Sequence, residues 1–323
     1  MREGLFIKKN KDRWERIQCG DFADADQMAE DFAKLLDDLA YARTFYPASS
    51  VTQYINSLAS RIYLKIYQNR KEESNRLLQF WKYDVPLTVY KHRRAISFAF
   101  AVFIVFFAVG FFSSKHDPAF VREVLGDRYV DMTEENIEAG NPFGVYQSGN
   151  SLLMWLGIMI NNIIVSFMYF AKGILLGILT LSSLIKEAMR LGAFEQMFFA
   201  KGLGAQAVVT ILIHGLLEIT AIIIASGAGM VLGKSFLFPG TLKRLDSLRI
   251  GLKDGIKIVV GLIPVFIVAA FFEGLVTRYY KMPLVSSLCI LLASATFIIW
   301  YFIIYPFYLH NRKRNRILLL QHV

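Results

Sequence analysis

Five long apolar stretches constrain this chain more than any other feature, and all of them lie after residue 94. A helix needs about 20 apolar residues to cross a hydrocarbon core of roughly 30 Å. Within lipid the backbone must satisfy its own polar groups, so such stretches form helices. The sequence therefore predicts an all-α, polytopic membrane protein with four to six membrane segments.

The first 94 residues are polar and show a different pattern. Met28, Phe32, Leu35 and Leu39 are spaced by three and four residues, which is typical of an amphipathic helix. A second apolar stripe follows an N-cap at Ser49 or Ser50. The pattern predicts a cytoplasmic N-terminal helical domain over residues 1–94, packed as a small antiparallel bundle.

Charge gives the expected orientation of the chain. The formal net charge is +10, and basic residues cluster beside the apolar stretches, for example at residues 91–94 and in the tail at 311–323. Because basic flanks stay in the cytoplasm, both ends are expected there, while the acidic loop at 113–150 is expected outside. Membrane orientation accounts for the charge, so we expect a lipid bilayer and no nucleic acid as partner.

The predicted membrane domain covers residues 95–310, and two of its apolar stretches are too long for a simple span. For residues 151–185 we favour an interfacial helix followed by a span at 161–184. The alternative is a span at 151–171 followed by a short return segment. The predicted spans are 95–112, 161–184, 203–233, 258–276 and 284–305.

The stretch at 203–233 raises a question of topology. The loop that follows it is basic and prefers the cytoplasm, which requires an even number of crossings. We therefore favour a re-entrant hairpin at 203–233 with its turn near His214 and Gly215. Five simple spans are the alternative.

Polar residues within the apolar stretches mark an expected intramembrane site. A charged side chain at mid-depth costs about 2.5–3.5 kcal/mol, so these groups should face inward and have partners. His214 and Glu218 lie four residues apart, on one face of a helix. The polar residues are Asn161, Asn162, Lys172, His214, Glu218 and Glu273.

Three interpretations of this site remain open. The preferred one is a buried structural network in which Lys172 neutralises a carboxylate and an asparagine binds the His214 and Glu218 pair. The second is a relay for protons or ions. The third is a metal site of His214, Glu218 and Glu273, which lacks the second histidine of a zinc-hydrolase motif. No cofactor is expected.

Small residues indicate where helices meet closely. Gly173 with Gly177, and Gly229 with Gly233, form two GxxxG pairs. Internal packing is the default use of such pairs, and a homodimer interface is the alternative. No phosphate-binding loop or serine nucleophile elbow is present, so the sequence does not support an ATPase or a serine hydrolase.

Several segments together resemble the stage II sporulation protein M family, a bacterial family of integral membrane proteins. They are "HGLLEITAIIIASGAGMVLG", the "NN" at 161–162, "EGLVTR", "DDLAYARTFYP" and "YINSLASRIYLKIY". The resemblance implies functional positions at Asn161 or Asn162, His214, Gly215, Glu218 and Glu273.

The resemblance also implies a place and a role. The namesake of the family is a membrane scaffold that binds cell-wall hydrolases, and many members are encoded beside MoxR-type ATPases. We therefore expect a non-catalytic protein of the bacterial cytoplasmic membrane that recruits peptidoglycan enzymes or a MoxR-type ATPase system. A transporter or channel is the alternative, and an intramembrane metallohydrolase is a third. The N-terminal extension distinguishes this chain from a compact sporulation member.

Overall fold

The computed structural model of the chain describes residues 2–20, 22, 25–68, 76–142, 151–276 and 282–321. These residues form helices joined by turns, and no strand occurs among them. The all-α class predicted from the sequence is therefore confirmed. The chain divides into two compact units, Met1–Arg76 and Leu77–Val323.

The first unit is a bundle of three helices, which we call the N-terminal bundle. Its core includes Leu35, Ile55 and Leu58, all fully buried, and these residues lie on the predicted apolar stripes. Trp14 closes the core, and its indole Nε1 donates a hydrogen bond to the Asp38 carboxylate at 2.8 Å. The three helices are α1 (Glu3–Cys19), α2 (Ala25–Phe45) and α3 (Ser50–Gln68).

The remaining helices build the second unit, which we call the membrane unit. They are α4 (Arg76–Gln79), a π-helix (Phe80–Asp84), α5 (Val85–Lys91), α6 (Arg93–His116), α7 (Pro118–Leu125), α8 (Asp127–Glu138), α9 (Ser151–Ala171), α10 (Ile178–Ala200), α11 (Gly204–Leu237), α12 (Arg244–Phe271), a π-helix (Phe272–Val276), α13 (Leu284–Ile298), a π-helix (Ile299–Ile304) and α14 (Tyr305–Gln321). Within the described ranges, five helical segments are long and apolar enough to cross a membrane: Arg93–His116, Ser151–Ile174, Gly204–Leu237, Arg244–Val276 and Leu284–Arg312.

The boundary between the units differs from the one predicted at residue 94. The residues from Leu77 onward belong to the membrane unit. Trp81 donates from its indole Nε1 to the Gly261 carbonyl of α12 at 3.2 Å, and Val85 is fully buried. These contacts are made by side chains distant in sequence, so the polarity of residues 77–94 alone could not reveal them.

One end of the membrane unit is held by an ionic contact, and we call it the basic end. The Lys91 Nζ and the His92 Nε2 lie 2.6 Å and 2.9 Å from the same Asp254 carboxylate of α12. Burial lowers the pKa of His92, although the neighbouring Asp254 opposes this change. The charge pair at this end is therefore that of Lys91 and Asp254.

The predicted re-entrant hairpin at 203–233 is wrong. Helix α11 continues without interruption through His214 and Gly215 and spans roughly 51 Å at 1.5 Å per residue. A helix that is apolar on all sides is stable when it is buried. Helix α11 meets this condition because it packs against α6, α9, α10, α12 and α13.

The predicted span at 161–184 is also wrong in its bounds. Helix α9 ends at Ala171, a 3₁₀ turn follows at Lys172–Ile174, and Leu176 and Gly177 both adopt positive φ. Glycine adopts this backbone conformation without steric cost, so the chain reverses here. The alternative span at 151–171 agrees with the structure, and the return segment is the 23-residue helix α10.

Helix α10 is a sixth long helix of the membrane unit, although its charged residues exclude it from the five apolar segments. In the described part of the chain, six long helices alternate in direction: α6, α9, α10, α11, α12 and the continuous α13–α14 segment. Ser247 of α12 donates to the Ser235 carbonyl of α11 at 2.7 Å, and Tyr301 donates to the Trp81 carbonyl at 2.7 Å, both near the basic end. An even number of alternating helices agrees with the basic flanks at both ends of the membrane unit.

The two GxxxG pairs pack against each other within the chain. A Cβ atom on Gly173 would collide with the Gly229 backbone, and one on Gly233 would collide with the Gly177 backbone. Small residues allow backbones to approach this closely. The turn after α9 therefore lies directly on α11.

Gly229→Ala should destabilise the membrane unit by about 1–3 kcal/mol, because overpacking forces neighbours to move. The added Cβ would lie 2.7 Å from the Tyr169 carbonyl oxygen and 2.8 Å from the Thr180 Oγ1. Denaturant unfolding of the purified full chain, followed by circular dichroism, measures the change.

Gly157→Ala is the matched control, since a Cβ on this α9 glycine meets nothing within 4 Å. It should be neutral or stabilise by up to about 1 kcal/mol. Equal losses in both variants would contradict the glycine contact.

Candidate functional site

A polar cavity lies among α6, α10, α11 and the π-helix at Phe272–Val276. Its volume is about 190 Å³, and its charged or titratable lining groups are Glu187, His214, Glu218 and Glu273. Apolar side chains complete the wall. The cavity can hold several water molecules, but pockets for drug-sized organic ligands start at about 300 Å³. The cavity therefore has the size for water or a small ion, not for a larger organic ligand.

Helix α11 supplies two of the polar groups. His214 and Glu218 are four residues apart, so they project from one face of the helix. Gly215 also lines the cavity, and a Cβ there would meet the side chains of Ile219 and Ile211 at 3.4 Å and 3.6 Å. The absence of a side chain at Gly215 leaves space beside the His214 ring.

Glu273 reaches the same cavity from a π-helical turn. This turn, Phe272–Val276, directly follows α12. A π-helical turn redirects side chains relative to an α-helix and often occurs at functional sites. The adjacent Gly274 allows close contact with α9, since a Cβ there would lie 3.0 Å from the Trp155 backbone.

The three predicted residues converge in space. One ligand atom from each of His214, Glu218 and Glu273 can be chosen so that all three lie within 4.8 Å of one another. The Glu218 and Glu273 carboxyl groups therefore lie close to each other. Two carboxylates at this distance repel each other unless a proton lies between them. A cation between the two groups would satisfy the same requirement.

The structure decides between the two asparagines. Asn162 is buried and lies near Glu218, whereas Asn161 is exposed. Asn161 donates to the Asn162 Oδ1 at 3.4 Å. The Asn162 Nδ2 is buried and has no hydrogen-bond partner among the described residues. Asn162 is thus the asparagine of the site.

Lys172 lies outside the cavity. Its Nζ donates to the Ser183 Oγ at 2.8 Å and lies 5.4 Å from the centre of the Tyr169 ring. The predicted neutralisation of a carboxylate by Lys172 is therefore not observed. Lys172 is the first residue of the turn after α9, and its side chain is directed to Ser183 of α10.

Glu187 also lines the cavity, and the sequence analysis missed it because it lies between the predicted spans at 161–184 and 203–233. Its carboxylate accepts a hydrogen bond from the Tyr169 hydroxyl at 3.4 Å and lies 3.9 Å from Arg190. Leu184 and Ala188 are both fully buried, one helical turn apart. This four-residue spacing was the signal for a buried helix that could have identified α10.

Two family models match the chain. The model described as stage II sporulation protein M matches residues 99–278, more than half of the chain, and includes the whole polar cavity. A domain of unknown function (DUF8413) matches residues 4–68, which comprise nearly all of α1, α2 and α3. Neither the curated proteins nor the solved structures gave a match.

A double-mutant cycle of Glu218→Gln and Glu273→Gln should show a coupling of about 0.5–3 kcal/mol in unfolding free energy, because the two carboxyl groups are neighbours in one cavity. Denaturant unfolding of the purified full chain gives the four values required.

Glu195 provides the control pair. It is buried in the same unit, and in the described part of the chain it interacts with neither Glu218 nor Glu273. Glu195→Gln and Glu273→Gln should be additive to within about 0.3–0.5 kcal/mol. Additivity of the Glu218 and Glu273 variants would contradict the shared contact.

Proposed function

Because the chain belongs to the stage II sporulation protein M family, we propose that this membrane protein is a non-catalytic scaffold that recruits an envelope-associated complex. The main support is its division into two compact units. The N-terminal bundle has its own core and is separated from the membrane unit by the hydrophilic sequence "NRKEESN" at 69–75. This arrangement suits the membrane unit for anchoring in the bilayer and the N-terminal bundle for binding a partner protein.

The N-terminal bundle offers a groove for a partner between α1 and α3. The groove has a volume of about 360 Å³, within the range of pockets that bind ligands. Tyr54 supplies aromatic surface beside the buried Trp14, and Lys11 and Glu15 supply exposed charges at the edge of the groove. Aromatic residues at the centre of a patch with a polar rim are typical of protein-binding surfaces.

The membrane unit supports binding better than hydrolysis of a polymer. Its polar cavity, at about 190 Å³, is too small for a glycan or a peptide strand. Peptidoglycan cleavage would then be performed by a recruited enzyme. The partners we propose are peptidoglycan enzymes at the acidic segment α7–α8 and a MoxR-type ATPase system at the N-terminal bundle.

We further place the protein in the bacterial cytoplasmic membrane with both termini in the cytoplasm. The six alternating helices return the chain to the basic end, where Lys91, Arg93 and Arg94 lie. Acidic residues concentrate in α7 and α8, at the opposite end. This distribution agrees with the positive-inside rule.

Passage of protons or ions is the second function that the site suggests. Glu187, His214, Glu218 and Glu273 all line one cavity between membrane helices, an arrangement found in proton relays. Equal proton flux into liposomes carrying the wild type or Glu273→Gln would remove this alternative.

Cysteine labelling tests the orientation. In a background without Cys19 and Cys289, Asp127→Cys should react with an impermeant thiol reagent added outside intact cells, whereas Asp246→Cys should not. Both positions are exposed, with 77% and 52% of their side chains accessible, so a difference in labelling reflects the side of the membrane and not burial. Labelling of Asp246→Cys from outside would overturn the orientation.

Charge reversal at the groove tests recruitment. Lys11→Glu should reduce the amount of co-purified partner at least about tenfold, which corresponds to about 1.4 kcal/mol of binding free energy. Quantitative mass spectrometry of pull-downs from native membranes measures this loss.

Lys34→Glu is the control, because Lys34 is also exposed but lies on α2 and does not line the groove. Its pull-down should equal that of the wild type. Equal recovery of partners with Lys11→Glu would show that the groove is not the binding surface.

A further inference from the structure

We propose that His214, Glu218 and Glu273 together bind one divalent transition-metal ion, with Zn²⁺ as the best match, at the wall of the polar cavity. This inference goes beyond recruitment and does not depend on it. It assigns the polar site a ligand of its own.

The geometry of the three side chains carries the proposal. Their ligand atoms can be chosen to lie within 4.8 Å of one another. The centre of an equilateral triangle with that edge is roughly 2.8 Å from each corner, and Zn²⁺ binds nitrogen and oxygen at about 2.0–2.2 Å. Side-chain shifts of under about 1 Å would therefore bring all three atoms to coordination distance.

The charge of the site also favours a cation. Two adjacent carboxylates in a largely apolar setting are costly unless they are paired or bind a metal. In the part of the chain that the structure describes, neither Glu218 nor Glu273 forms an ion pair with lysine or arginine. The nearby Arg190 pairs with Glu187 instead. A divalent ion would balance the two carboxylates while the imidazole stays neutral.

A buried polar group beside the cluster points independently to a ligand. Asn162 is 5% exposed and lies near Glu218, and its buried Nδ2 has no hydrogen-bond partner in the described ranges. Once Glu218 turns toward a metal, its second oxygen could accept from this amide. Such supporting hydrogen bonds to metal-binding carboxylates are common in metal sites.

The donor set selects the class of metal. One imidazole and two carboxylates suit Zn²⁺ and similar first-row ions. Ca²⁺ usually takes six to eight oxygen ligands, more than the three residues provide. Three protein ligands leave a further position for water, and the adjoining cavity of about 190 Å³ has room for it.

The site is held by rigid elements. His214 and Glu218 project from the central helix α11, which is enclosed by five other helices. Glu273 is directed by the π-helical turn, which Gly274 places against α9. Ligands on packed helices lose little freedom when an ion binds.

Metal binding is tested with the purified full chain, stripped by a chelator and then titrated with Co²⁺ or reconstituted with Zn²⁺. We expect one ion per chain by elemental analysis, a visible Co²⁺ absorption band and a rise in unfolding temperature with the metal. Changing a residue that merely supports a ligand costs about 10- to 100-fold in affinity. Glu218→Gln and Glu273→Gln should therefore weaken binding by about 100-fold or more.

Matched variants separate ligands from bystanders. Glu195→Gln removes another buried carboxylate, and Glu187→Gln removes one that lines the same cavity. Both should keep one ion per chain, and Asn162→Ala should weaken binding by about 10- to 100-fold.

Two results would overturn the proposal. One is a wild-type protein that takes up no stoichiometric Zn²⁺, Co²⁺, Mn²⁺ or Fe²⁺ after reconstitution. The other is a loss of metal in Glu195→Gln as large as that in Glu218→Gln. If the glutamine variants fail to fold, the wild-type Co²⁺ spectrum and the metal-dependent unfolding temperature decide the matter. Partner recovery by the N-terminal bundle is scored separately, so either proposal can fail alone.

Discussion

The contact between α11 and the glycine turn after α9 is the interaction on which the membrane unit depends. Gly173 and Gly177 lie directly on Gly229 and Gly233, at distances that no side chain would permit. This contact lets neighbouring helices enclose α11, so that its polar groups are kept away from lipid. The cost of His214 and Glu218 at this depth is offset only because α10 and the π-helical turn supply polar neighbours. Close glycine packing at the basic end of the membrane unit thus lowers the free-energy cost of the polar cavity further along α11.

Much of the fold could be predicted from local patterns. Apolar length gives the all-α membrane class, and the spacing of Leu35, Ile55 and Leu58 gives the bundle core. The errors concern the path of the chain. The re-entrant hairpin was proposed to supply an even number of crossings, but the structure has a continuous α11 and an additional long helix, α10. This helix carries four charged residues within residues 186–195, so hydropathy alone assigns it to a loop. Its burial depends mainly on α6, which is remote in sequence.

The site shows the same division between local and distant information. Helical spacing placed His214 and Glu218 together, and the cost of buried charge indicated that Glu273 faces inward. The structure brings these three groups together. Lys172 was assigned to the site by charge alone, yet the turn after α9 directs it to Ser183. Glu187 was missed because its role depends on where α10 packs. The four-residue spacing of His214 and Glu218 can be found in the sequence, whereas the groups that contact their side chains depend on tertiary packing.

Helix α10 has a consequence for how the protein is made. Charged residues each cost about 2.5–3.5 kcal/mol when a helix leaves the insertion machinery for lipid, and α10 carries Lys186, Glu187, Arg190 and Glu195. Such a segment does not partition into the bilayer alone. Gly110 and Gly192 hold α10 closely against α6, a helix synthesised earlier. The charged residues of α10 are best shielded from lipid when α6 already lies beside it, so the order of synthesis suits insertion of α10 against α6.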